Sequence, residues 1–386
     1  MPQRTYRMQG MSTSLTSAMT SNSTWSSRER VLTALRCQEP DRVPFLESVV
    51  DEPVALALLG RQQPEHLVTG ELGAGQEPVF RGMLLGSPRY EPIELVHTLG
   101  LDGFGMYLFL RHEGVQKQVN GHTMVAGGRI KTRADLARIQ LPDPDDPALY
   151  EPYRRFVEQH RRSGLALFCF LNLGSDPAIL GMGFETFAIA LYDDRTLVED
   201  LFEMYTDWYA RATRHLCELD FDFLWFGDDI AFKTAPYVSP KIFHQLFVPH
   251  YRRVAEQITK PWIFHSDGNL VPILDDLLDL GMNGLHPIEP GAMNLTELKR
   301  RYGGRLCLVG HISVDTLGRG TPQEVDRLVK EAIRIAAPGG GYIAGSSNSV
   351  AYYCQPENVR AMQQAILKYG RSHSYGRYPV HIEDAQ

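Results

Sequence analysis

The chain has no Cys-x-x-Cys pair, no basic tract, no apolar run longer than a strand and no Gly-x-Gly-x-x-Gly after its first strand-like segment. Each absence removes a class of function. Five cysteines (Cys37, Cys169, Cys217, Cys307, Cys354) are scattered and odd in number, which rules out a zinc ribbon and argues against a disulfide framework. A reducing cytoplasm is therefore the expected compartment. A net charge of −7 gives no electrostatic reason to expect nucleic acid. The apolar runs fall far short of the ~20 residues that span a bilayer, so no membrane association is expected. The missing glycine fingerprint weighs against a dinucleotide fold.

What is present is an alternation. Apolar runs of strand length occur near 43–49, 101–107, 165–171, 221–227, 261–265, 283–288, 305–310 and 341–345, with helical patterns between them. Ser239-Pro240 and Thr321-Pro322 each pair a capping hydroxyl with proline at the first helical position. Continuous apolar strands call for a parallel sheet covered on both faces. Eight of them predict a single (β/α)₈ TIM barrel, with an open doubly wound sheet as the alternative. Residues 113–130 read as a small hairpin inserted after the second strand, closed off by the Pro/Asp-rich stretch 141–147. The barrel is expected over 28–372. Residues 1–27 are Ser/Thr-rich, have no apolar period and lack the apolar core of a secretory signal, so they are expected to be a disordered tail; 373–386 are expected to be a C-terminal tail.

The organising stretch is Trp262-Ile-Phe-His265-Ser-Asp267-Gly-Asn269. It reads as a buried strand that delivers His265 and Asp267 to its C-terminal tip. Alternate residues share a face there, and Glu289 ends the next apolar run. Barrel enzymes carry function at C-terminal strand ends. The other ends supply Glu47, Tyr107, Asn172, Asp228-Asp229, His311 and Ser346-Ser-Asn348-Ser349. His265, Asp267 and Glu289 suit Zn²⁺ or another divalent metal, with water, Ser349 or Cys354 in a fourth place. The same groups can also simply hydrogen-bond across a polar barrel mouth. Asp228-Asp229 reads either as an acid–base pair or as a helix N-cap.

Several motifs occur in one order: Asp41-Arg-Val-Pro44, Phe226-Gly-Asp-Asp229, Val238-Ser-Pro-Lys-Ile-Phe243, His265-Ser-Asp-Gly-Asn269, Tyr302-Gly-Gly304, Gly310-His311-Ile and Pro356-Glu-Asn358. Together they resemble the uroporphyrinogen decarboxylase superfamily over roughly 28–372. True decarboxylases of that family carry an arginine-rich segment after the first strand and a histidine near the barrel's end. Glu47-Ser-Val-Val-Asp51 and Ser346-Ser-Asn-Ser349 stand there instead. The resemblance is closer to the zinc methyltransferase branch, whose signature is His-x-Cys with a further cysteine after the last strand. It implies that His265 is a ligand, that Asp267 replaces the first cysteine, and that the second falls near Ser349, with Cys354 offset. Glu289 matches the glutamate of the related methionine synthases.

Oxygen in place of sulfur leaves a harder metal, suited to polarising an ether oxygen. The expected activity is a corrinoid-dependent methyltransferase that moves a methyl group from a small O-methyl compound, such as a methoxylated aromatic, to a corrinoid on a partner protein. Asp229 or Asp228 would supply a proton or orient the substrate, with Tyr107 or Tyr237 assisting. A homodimer is compatible with this reading. The alternatives are a cofactor-free lyase acting on an acidic small molecule and a non-catalytic ligand-binding barrel.

Overall fold

The computed structural model describes residues 25–62, 79–85, 87, 89–119 and 122–371. Of the expected tails, residues 25–27 are described; the rest lie outside the described residues. Ser26 caps the first helix, Ser27–Leu35, in a reciprocal box with Glu29. The strands are β1 (Val79–Met83), β2 (Gly103–Leu110), β3 (Gly114–Val119), β4 (His122–Gly128), β5 (Ala166–Leu171), β6 (Phe223–Gly227), β7 (Trp262–His265), β8 (Gly284–His286), β9 (Cys307–Ile312) and β10 (Tyr342–Ser346). The main sheet runs β1-β2-β5-β6-β7-β8-β9-β10. Seven of its strands are parallel, and β1 adds to β2 in the antiparallel sense. β3 and β4 pair separately as an antiparallel ribbon. Among the described residues no helix is long and apolar enough to cross a membrane.

The strands divide their side chains by parity. Phe168, Phe170, Phe223, Trp225, Ile263, Val309 and Ile343 meet on the inside of the curved sheet. Their neighbours Leu167, Cys169, Leu224, Phe264, Leu308 and Ala344 pack outward against the helices. Burial on both faces explains why the strands read as unbroken apolar runs rather than alternating ones.

The 43–49 run behaves differently from the other seven. Its Phe45 makes an isolated parallel bridge to Ala344, and Val50 just beyond it makes another to Val350. Pro44 has no N–H to give the ladder, although its carbonyl accepts from Ala344 N (2.9 Å). Leu46 N donates to Ala344 O (3.1 Å), and Asp102 N to Phe45 O (2.8 Å), so the segment touches both β10 and the start of β2. β1 has no counterpart among the expected strands, because Arg81 and Gly82 interrupt its apolar run.

A buried carboxylate fixes this seam. Asp102 is fully buried and takes two hydrogen bonds from Arg42 (2.8 and 2.7 Å) and one from Phe45 N (2.8 Å). Arg30 stands 3.6 Å away. Removing one partner of a buried charged set leaves the others uncompensated, at a cost of about 3–5 kcal/mol. Asp102→Ala should lose stability of that order in urea denaturation. A loss under about 1 kcal/mol would mean that the seam closes without this tie.

Candidate metal centre and active-site mouth

β7 ends at His265, and the chain then turns sharply at Gly268. Its φ is +90°, and a Cβ there would stand 2.5 Å from Phe232 O and 2.7 Å from Ala231 O. Only glycine lets the turn tuck beneath the 231–236 segment, where Asn269 N donates to Phe232 O (2.8 Å). The turn leaves both His265 and Asp267 half-buried at the mouth.

The state of His265 follows from its neighbour. Its Nδ1 lies 2.7 Å from Nδ1 of His286, and the rings stack at 5.0 Å and 28°. Burial, and then the charge of His265, push the His286 pKa well below its ordinary value, so that ring is neutral. His286 also hydrogen-bonds the Ser346 backbone. Ser346 N is already given to Glu47 (2.8 Å), so the Ser346 carbonyl must be the acceptor and His286 Nε2 the donor. His286 Nδ1 is then an acceptor, and the shared proton belongs to His265 Nδ1. His265 Nε2 faces Asp229 Oδ1 at 3.8 Å, and when that ring is neutral this nitrogen offers its lone pair to a cation.

Asp267 is held from two sides. Its N–H donates to Asp229 Oδ1 (2.9 Å), and Asn348 Nδ2 donates to its Oδ2 (2.6 Å). Its Oδ1 is buried without a hydrogen-bond partner. Burial, with the Asp229 and Glu289 charges adding to it, pushes the Asp267 pKa up to about 6, against the opposing pull of His265 and Asn348. One ligand atom each from Asp229, His265 and Asp267 lie within 4.8 Å of one another. Zinc ligands at about 2.0–2.2 Å in tetrahedral geometry stand roughly 3.3–3.5 Å apart, so a modest contraction would close the set. An orphaned, buried carboxylate oxygen beside an imidazole lone pair fits a divalent cation.

The other expected residues fall as follows. Glu289 accepts from Gly268 N (3.1 Å) and pairs with Lys233 Nζ (3.1 Å), so its carboxylate is engaged beside the cluster rather than within it. Asp228 and Asp229 point to different tasks. Asp228 is buried and accepts from Gly174 N and Ser175 N (2.9 Å each) and Ser175 Oγ (3.0 Å), at the start of the Ser175–Met182 helix. Tyr237 packs against Phe232 (4.6 Å) and Phe184 (5.0 Å), and burial followed by the Asp229 charge raises its pKa. Tyr107 sits inside β2 rather than at its end, stacked on Phe109 at 5.7 Å. Ser349 lines the mouth. Cys354 is buried with its Sγ toward Val314 O, and burial pushes its thiol up to about 12.

Two connected spaces open at the mouth. The outer cavity, about 1260 Å³, is walled by the β3–β4 ribbon and includes Asp176, Asp229, Tyr237 and Ser349. The inner one, about 170 Å³, is shared by His112, Asp176, Asp229, His265 and Ser349 over Phe109 and Phe170. Sequence reasoning missed His112, whose signal was its place directly after the β2 apolar run. It also assigned no role to His286, and none to Asn348 beyond its place after a strand.

A family model described as uroporphyrinogen decarboxylase (URO-D) matches residues 120–369. Two curated proteins from Methanosarcina barkeri, both named methylcobamide:CoM methyltransferase MtaA, are similar over 175 residues. The one from strain Fusaro / DSM 804 is 29% identical, covering 44% of this chain and 50% of that protein. The other is 27% identical over the same shares. The chain thus spans about half the length of the curated relatives it matches. A solved structure of a methyltransferase from Methanosarcina mazei superposes with a TM-score of 0.66 at 19% identity, over 90% of this chain and 99% of that one. At that identity the likeness concerns the fold.

Glu47 offers a test of the buried network behind the mouth. Its carboxyl is 2.8 Å from Ser346 N and 2.6 Å from Ser346 Oγ, and Ser346 Oγ also contacts the Asn348 carbonyl oxygen. One hydroxyl proton cannot serve both oxygens, and the carbonyl can only accept, so Glu47 supplies the second proton. Burial accordingly pushes the Glu47 pKa up to about 8. With the folded pKa above the unfolded one, its stabilising contribution is complete below about pH 4.5 and is lost as pH rises through about 8. Urea unfolding should show wild-type stability falling by up to about 1.4 kcal/mol per pH unit across that window, and a shallower fall for Glu47→Gln. Identical slopes would show that Glu47 is ionised in the folded chain.

Proposed function

We infer, for a chain that belongs to the uroporphyrinogen decarboxylase family, a metal-dependent transfer of a methyl group from a small O-methyl compound to a corrinoid carried on a partner protein. The observation that carries this reading is the Asp229–His265–Asp267 cluster with its unpartnered Asp267 oxygen. The curated relatives, named for methyl transfer involving a methylcobamide, support the corrinoid as co-substrate. We take the whole to be a closed (β/α)₈ barrel, with the 43–47 segment as its first strand and the β3–β4 ribbon as an insertion.

Asp229, His265 and Asp267 would hold the metal, all nitrogen or oxygen donors suited to Zn²⁺, Mn²⁺ or Fe²⁺. Glu289, whose charge adds to that on Asp267, would join the set only by releasing Lys233. When bound, such a cation supplies Lewis acidity toward an ether oxygen. In the transfer the methyl–oxygen bond breaks and its electron pair stays on oxygen. The carbon would pass to the reduced corrinoid that a partner protein would supply, and the departing oxygen would take up a proton from solvent. The chain's own part is alignment: a donor lodged in the inner cavity, and an outer cavity wide enough to admit a second reactant. Tyr237, which keeps its proton at neutral pH, acts as a hydrogen-bond donor at the mouth. A lyase acting on an acidic compound fits less well, because no Lys or Arg is among the described residues lining the inner cavity, whereas Asp176 and Asp229 are.

Protein purified without chelator should carry about one divalent ion per chain by elemental analysis, lost in His265→Ala and weakened in Asp267→Ala. Asp267→Cys should keep zinc but slow transfer from an oxygen-linked donor, since thiolate softens the metal. Mixed with cob(I)alamin and a panel of methoxylated aromatics and other O-methyl compounds, wild type should give the absorbance of methylcob(III)alamin with at least one donor. Release of CO₂ from an acidic substrate without metal, with no methylcobalamin from any donor, would replace this reading by the lyase.

A further inference from the structure

We propose that the inner cavity is the donor's binding site and that His112 holds the donor there through its Nε2–H, selecting an uncharged compound with an acceptor oxygen. This rests on the methyl-transfer reading and deepens it by naming the substrate class.

His112 lies just beyond β2 and is only 7% exposed, yet it lines both the inner and the outer cavity. Its protonation is set by the backbone. Gly114 N donates to Nδ1 at 3.0 Å, so in the neutral ring Nδ1 is the acceptor and Nε2 carries the hydrogen. Gly114 is adapted to this contact: a Cβ there would stand 2.6 Å from His112 Nδ1 and 2.8 Å from its Cε1. Burial lowers the His112 pKa, in keeping with a neutral ring. The inner cavity thus has a fixed donor on one part of its wall and the metal cluster's Asp229 and His265 on another.

The remaining wall decides the ligand's charge. An anion would meet Asp176 and Asp229 with no Lys or Arg among the described lining residues. The lysines of the outer cavity are Lys117 and Lys131, and Lys131 is tied to Met182 O (2.8 Å). A cation would be drawn to Asp176 and Asp229 but would have to share Asp229 with the metal site and would meet the positive end of the His112 N–H. An uncharged acceptor suffers neither penalty. Size follows from volume: a cavity of about 150 Å³ holds benzene, and this one is about 170 Å³ over the rings of Phe109 and Phe170. One six-membered ring with a small oxygen substituent fits a pocket of this size, with Phe109 and Phe170 against the ring and polar groups such as His112 and Asp229 toward the oxygen.

The test is equilibrium binding to the zinc-loaded full chain by titration calorimetry, with guaiacol (uncharged), ortho-methoxybenzoate (anionic) and benzyltrimethylammonium (cationic) as probes. Guaiacol should bind at least about tenfold tighter than either charged probe. His112→Leu should weaken guaiacol about tenfold, the scale of one lost hydrogen bond to a buried donor site. His112→Gln, which keeps an N–H donor of similar reach, should recover most of it, and Gly114→Ala should weaken binding by displacing the ring. Zinc content should be unchanged in all three variants. Failure of guaiacol to bind, tighter binding of a charged probe, or full affinity in a folded, zinc-loaded His112→Leu chain would overturn the proposal. Binding is read without methyl transfer, so a failure to form methylcobalamin counts against the reaction and not against this site.

Discussion

The hydrogen bond between the two Nδ1 atoms of His265 and His286 ties the end of β7 to the end of β8 and orients the His265 ring. Two ring nitrogens 2.7 Å apart can share one proton but not two, and the burial of His286 decides which ring is the neutral acceptor. The acceptor is fixed in turn by Ser346, which also binds Glu47 and contacts the carbonyl of Asn348. Asn348 then reaches back to Asp267. The end of β10 therefore governs both candidate ligands of β7 from across the mouth. Such partners orient a ligand and fix its tautomer, and in a buried setting each unsatisfied member would be costly.

The strand ends and the His265–Asp267 pair were legible in the sequence, because the seven parallel strands are buried on both faces and stop abruptly at polar residues. The partner of that pair was not. Glu289 follows β8 and Asp229 follows β6, and the sheet places β7 between β6 and β8, so either neighbour could complete the cluster. The outcome depends on Lys233, which reaches from the 231–236 segment to Glu289. That contact joins residues 56 positions apart through a loop whose path no periodicity encodes. Asp228 illustrates the same limit. Adjacent carboxylates look alike in sequence, yet one faces the helix start at Ser175 and the other faces His265.

Several motifs that carry the family resemblance belong to the scaffold. Arg42 of Asp41-Arg-Val-Pro44 binds Asp102, and Asp41 binds Arg30 at 2.6 and 2.9 Å. Ser239 caps the helix that begins at Pro240. Asn358 gives its amide to the carbonyls of Leu317 (3.0 Å) and Gly320 (2.8 Å), closing the Val314–Arg319 helix. These residues meet needs that any chain with this fold has, which is why they identify a family without specifying a reaction. The candidate site, by contrast, is built from the few side chains after β2, β6, β7 and β10.

Their charges form a coherent set. Asp229, Asp267 and Glu289 gather around one imidazole, with Lys233 the cation paired to Glu289 among the described residues. Burial, with the neighbouring Asp229 and Glu289 charges, raises the energy of the Asp267 carboxylate and its pKa to about 6, so the site favours a positive charge. A proton satisfies that demand at one oxygen. A divalent cation would satisfy it at Asp267 Oδ1, Asp229 and His265 Nε2 together, with His265 giving up any proton on Nε2 as the ion binds. Proton and metal thus compete for the same electrostatic vacancy, and near neutral pH a bound ion holds the advantage because the proton is only weakly retained.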